Sequence, residues 1–125
     1  MLINAGVTHP HRPWLERLRE GGRLVAPITM ATSPTLGQGA MVKITRERGA
    51  FSAGIVSLVG IFPCTSVRDP QLEPAIAKAF ASRSLFKLKS VRLDAHEPAD
   101  TCILHGSGVC MSSAEPAATP PAPAS

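Results

Sequence analysis

The chain holds 125 residues, 44% hydrophobic and only 4% aromatic, and carries a formal charge of +4. That length suits one domain and not two. The absence of tyrosine argues against an aromatic stacking surface, and the longest apolar run, residues 53–63, is far short of the ~20 residues a membrane-spanning helix needs.

Charge is unevenly placed. Residues 1–93 contain all 13 Lys and Arg against five acids, a balance of +8, whereas residues 94–125 contain four acids and no Lys or Arg. The basic residues are spread along the chain, so they read as a solvated surface and not as a nucleic-acid face. Three cysteines, Cys64, Cys102 and Cys110, with no signal peptide before them, read as reduced thiols of a cytoplasmic protein.

Met1-Leu2-Ile3 is a short apolar run that breaks into a loop at Asn4-Ala5-Gly6. Pro10 and Pro13 forbid a helix through that loop, and Pro13 suits a first helical position. Trp14, Leu15 and Leu18 then share one face of a two-turn helix, which Gly21-Gly22 ends. Residues 23–28 are apolar on successive positions, the pattern of a parallel strand covered on both faces. Strand, helix and strand together predict a parallel βαβ unit with a right-handed crossover.

Residues 30–39 read as a flexible loop punctuated by Ser33-Pro34, Gly37 and Gly39. Residues 40–46 alternate, 46–49 form a turn and 51–62 return, which predicts an antiparallel hairpin. The return is apolar on both faces, which places it inside the sheet and residues 40–46 toward an edge. Leu72, Ile76 and Phe80 follow a helical spacing, with regular structure from Pro74. Residues 85–93 predict a strand that kinks or starts late near Leu88, because Lys87 and Lys89 share a face with Val91 and Leu93. Residues 101–105 are a short last strand, turned by Gly106 and Gly108 into Val109-Cys110-Met111. Residues 112–125 read as a disordered Pro/Ala-rich tail after a domain spanning 1–111, since 114–125 hold four of the 12 prolines and no large apolar residue.

Asn4-Ala5-Gly6, the segment from Leu18 to Pro27 (LREGGRLVAP) and the hairpin ending Val59-Gly60-Ile61-Phe62-Pro63 resemble the C-terminal half of S-adenosylmethionine-dependent methyltransferases, most closely the protein-L-isoaspartate O-methyltransferase family. The resemblance covers residues 1–64; residues 65–111 resemble a C-terminal extension more loosely. It implies an α/β fold, the C-terminal half of a Rossmann-like sheet with Met1 inside its fourth strand. It also implies S-adenosylmethionine as cofactor and a protein carboxylate as acceptor. The family's glycine-rich cofactor loop, its ribose-binding acidic residue and its Ser/Thr substrate loop have no counterpart here. Thr29 stands where the family usually has glycine, and Glu20 where proline is common. The chain is therefore expected to be inactive alone, working with a complementing N-terminal half. The alternative is a non-catalytic interaction module that dimerises or pairs through an exposed sheet edge. Neither reading involves a membrane or nucleic acid.

Ligands of open α/β sheets bind beyond the carboxyl ends of the strands. That rule and the resemblance make Asn4, Ala5, Gly6, Val7, Thr8 and His9 the candidate acceptor-binding loop; no catalytic or cofactor-binding residue is assigned. Methyl transfer needs orientation more than acid–base chemistry, so small residues and backbone groups suffice. His9 and His11 flank Pro10 and read as exposed loop histidines. Asp94, His96, Cys102, His105 and Cys110 are metal-ligating types, but no C-x-x-C or H-x-x-x-H pair occurs among them. The expectation is buried cysteines on a short strand and no metal.

Overall fold

The computed structural model describes residues 2–3, 5–33, 36–61, 67–94 and 100–116. Its centre is one six-stranded sheet. Strands β1 (Arg23–Ser33), β2 (Leu36–Glu47) and β3 (Ala50–Ile61) form a long meander, and β4 (Ser90–Arg92), β5 (Cys102–Gly106) and β6 (Val109–Ser112) complete the order β1-β2-β3-β4-β6-β5. Every ladder is antiparallel. Helix α1 (Arg12–Glu16) is five residues long, and α2 (Glu73–Ala81) packs against β1 and β5. A 3-10 turn at Ser84–Lys87 precedes β4.

This overturns the expected α/β Rossmann-like half-sheet and its parallel βαβ unit. The N-terminal segment does run alongside β1, but only through two isolated parallel bridges, Leu2 to Val25 and Val7 to Ile28. The Ile3 N–H donates to the Val25 carbonyl at 2.9 Å, and the Val7 N–H to the Pro27 carbonyl at 2.9 Å. Between these bonds a regular parallel ladder would need a Pro27 N–H, which proline lacks. The outer edge of β1 therefore cannot carry a continuous parallel partner, while its other edge pairs with β2 from Arg23 to Ser33.

The expected loop at 30–39 is largely strand. Gly37 and Gly39 are not flexible hinges; they allow β2 to approach Thr29. A Cβ on Gly39 would lie 2.8 Å from Thr29 Cα, and one on Gly37 would lie 2.8 Å from Thr29 Oγ1. The expected placement of the hairpin holds only in part, since residues 40–46 do not lie toward an edge and the return strand stands between β2 and β4. β2 lies inside the sheet, whereas β3 pairs with β4 only at Phe51 and Ser52. The apolar return is therefore not buried on both faces: Val56 and Leu58 are each 59% exposed.

Two hairpins turn tightly through pairs of left-handed residues. Arg48 and Gly49 have φ of 54° and 75°, and Ser107 and Gly108 have φ of 53° and 78°. Two consecutive positive φ values are the type I′ signature that matches the strand twist. Glu20 clasps the first turn, its carboxylate accepting from the Arg48 and Gly49 N–H groups. One principal core joins Val7, Leu15, Leu24, Ile44, Ile76 and Met111, all fully buried, across the helices and the sheet. Around α2, Pro74 follows Glu73 in the first turn, where its missing N–H costs no helical bond. β6 runs to Ser112, and Lys89 pairs with Glu115 at 3.3 Å. Among the described residues, no helix is long and apolar enough to cross a membrane.

Candidate functional site

Asn4 lies outside the described residues. Ala5 is half-buried, and Gly6, Val7, Thr8 and His9 are buried against β1. Backbone bonds fix them there: Thr29 N–H donates to the Val7 carbonyl at 2.8 Å, and Thr8 N–H to the Val67 carbonyl at 3.3 Å. Thr8 Oγ1 accepts from the Asp69 N–H at 2.8 Å and lies 2.8 Å from His9 Nδ1. Ser107 Oγ donates to Asp69 Oδ2 at 2.7 Å, and the Gln71 N–H to Asp69 Oδ1 at 2.9 Å. Those two bonds hold the Asp69 carboxyl below its usual range. Burial lowers the His9 pKa against the opposing pull of Asp69, so His9 is neutral at pH 7.

A second hub is Arg68. Its Nη1 donates to the Gly6 carbonyl at 3.1 Å and to Thr29 Oγ1 at 3.0 Å, while its other terminal nitrogen pairs with Glu73. The N-terminal segment, β1, the entry to α2 and the β5–β6 turn thus meet in one polar network. Its chemistry is positional. Thr8 has no exposure, and the Ser107 hydroxyl bonds to a carboxylate and not to a histidine. No nucleophile–base–orienter chain results. The space beside Gly6 and Gly37 is filled by the Thr29 side chain.

The structure does gather a cluster that sequence spacing hid. On a regular strand Cys102 and His105, three residues apart, project to opposite faces. The β5–β6 register shifts between them: Cys102 pairs with Ser112, then Leu104 with Met111 and His105 with Cys110. Ile103 is the extra residue of a bulge, and it returns His105 to the face of Cys102. Cys110 Sγ donates to Cys102 Sγ at 3.1 Å, and Cys102 Sγ lies 3.8 Å from His105 Nδ1. Burial, and then the bond to Cys102, push the Cys110 thiol up to about 12, and the two cysteines are not in a disulfide. The signal available in sequence was the pair of turn formers at Ser107-Gly108, which fixes the hairpin; the bulge itself has none.

Of the other described sequence candidates, Asp94 borders the same cleft as His105 and Cys110, and His11 does not. His11 packs edge-on against Trp14 with ring centroids 5.2 Å apart. Asp94 accepts from Arg92 Nε at 2.9 Å. His96 and Cys64 lie outside the described residues. No protein-family model, curated protein or solved structure matches the chain.

Proposed function

We propose that the chain supplies the acceptor side of an S-adenosylmethionine-dependent methyltransferase of the protein-L-isoaspartate carboxyl-methylating type, acting in the cytoplasm together with a cofactor-binding segment. The sequence resemblance over residues 1–64 supports the family. The structural observation that carries the reading is uncovered apolar surface. Leu2, Leu36, Val56 and Leu58 are 40–64% exposed, and among the described residues no strand pairs with β3 on its β4 side beyond Ser52. Scattered exposed apolar residues are ordinary, but two on one open strand half mark a surface suited to a partner element.

The same surface favours the alternative, a non-catalytic module that pairs with a second copy or a partner strand. Titration calorimetry and complementation separate the two. On the methyltransferase reading, the chain alone binds S-adenosylmethionine weakly or not at all. Mixing it with the cofactor-binding half of an isoaspartyl methyltransferase then yields methyl transfer to an isoaspartyl peptide. Micromolar cofactor affinity of the isolated chain would contradict the division of labour. A stable homodimer that never complements would favour the interaction module.

A further inference from the structure

We infer that Cys102, His105 and Cys110 form a binding site for a thiophilic divalent cation of the zinc class, built on the β5–β6 hairpin. Their ligand atoms all lie within 4.8 Å of one another. With metal–sulfur near 2.3 Å and metal–nitrogen near 2.0–2.1 Å, tetrahedral coordination needs ligand atoms about 3.6–3.8 Å apart, so the cluster closes on an ion with shifts of about 1 Å. The observed Sγ–Nδ1 separation of 3.8 Å already matches, and the Sγ–Sγ separation of 3.1 Å needs only to widen.

Softness selects the ion. Two thiolates and an imidazole suit zinc, whereas calcium and magnesium want oxygen ligands. The frame is also rigid. Arg12 Nη1 donates to the carbonyls of Leu93 and Gly108, each at 3.0 Å, tying the β5–β6 turn to the end of β4. Leu104 and Met111, alternating with the ligands, are anchored in the core on the other face. Access is provided by exposed His105 and by a cleft of about 250 Å³ bordered by Asp94, His105 and Cys110. Three such ligands are enough to hold a zinc ion, with the fourth position of its tetrahedron taken by water or a further donor. Binding displaces the thiol protons to solvent, so no oxidant or reductant is involved.

The test uses the untagged, reduced 125-residue chain, titrated with Co²⁺ and then Zn²⁺ against a chromophoric chelator. The expected result is one ion per chain, with sulfur-to-cobalt charge transfer and a tetrahedral d–d spectrum that Zn²⁺ abolishes. Because altering groups around a zinc ligand alone costs 10–100-fold in affinity, removing a ligand by His105→Asn or Cys102→Ser should cost at least about tenfold. Cys110 is buried and its substitution risks the fold, so the exposed His105 and half-buried Cys102 decide the matter. Circular dichroism of these two variants should match the parent. Absence of stoichiometric binding, an octahedral spectrum, or parent-like affinity in both variants would overturn the site. So would a Cys102–Cys110 disulfide persisting under reductant.

Discussion

Arg68 Nη1 donates to Thr29 Oγ1 at 3.0 Å, and that bond joins β1 to the segment that enters α2. The same nitrogen serves the Gly6 carbonyl, and the guanidinium also pairs with Glu73, so one side chain closes three interfaces. Thr29 is fully buried and the Arg68 side chain only 14% exposed, which separates this pair from surface ion pairs of little worth. Arg68→Ala should lower unfolding free energy by about 2–3 kcal/mol, since it strands a buried hydroxyl and a carbonyl. Thr29→Val, which keeps the shape, should cost about 1 kcal/mol. Urea denaturation of both variants measures the difference, and equal losses would show that Arg68 acts only through Thr29.

Gly39 and Gly54 make a matched pair of opposite sign. A Cβ at Gly39 would collide with the Ile28 carbonyl and approach Thr29 Cα to 2.8 Å, backbone atoms that cannot swing aside. At Gly54 a Cβ meets nothing within 4 Å, and no left-handed φ is required there. Gly39→Ala should therefore destabilise by about 1–3 kcal/mol, the usual cost of overpacking, by forcing β1 and β2 apart. Gly54→Ala should stabilise by about 0.5–1 kcal/mol, because glycine within a strand loses more chain entropy on folding. Thermal unfolding of the two variants side by side checks the sign as well as the size.

Much of the local structure was legible from residue chemistry, and the topology was not. The turns at residues 46–49 and 106–108, the helix around Ile76 and the late strand start after Leu88 all follow from short-range preferences. The sheet's order depends on which edge of β1 finds a partner. An apolar run such as residues 24–28 reads alike whether its neighbour is parallel or antiparallel. Pro27 held the decisive clue, since its missing N–H interrupts pairing on the N-terminal side. Gly37 and Gly39 misled for a related reason: close packing against Thr29 and flexibility demand the same residue. The cysteine cluster was hidden because Ile103 breaks the two-residue period, and nothing in its side chain announces a bulge.

His9 sets an acid limit on stability. Burial lowers its pKa in the folded chain below the ordinary 6.5, with Asp69 only partly opposing. The unfolded chain then binds a proton more readily than the folded one. Above pH 6.5 both states hold a neutral imidazole and the contribution is complete. As pH falls from 6.5 toward the folded-state value, stability is lost, and below that value the loss is constant. His9→Gln should flatten this part of a chemical-denaturation pH series while leaving the profile above pH 7 parallel to the parent. An unchanged slope would assign the acid sensitivity to other groups.

The open half of β3 predicts self-association that charge can block. Val56 and Leu58 are both 59% exposed, and Val56 is the extra residue where the β2–β3 register shifts between Met41 and Val42. An exposed apolar edge offers unpaired backbone groups as well as greasy side chains, and natural sheets suppress such pairing with lysine. Neither side chain contributes to the buried core, so Val56→Lys with Leu58→Lys should change unfolding free energy by no more than about 0.5 kcal/mol each. Sedimentation velocity over a concentration series should show the parent associating and the double variant remaining monomeric. If the parent is already monomeric at high concentration, the surface does not pair with copies of itself, and a heterologous covering element becomes the better account of β3. If the double variant also loses complementation by a cofactor-binding half, that half supplies the covering element.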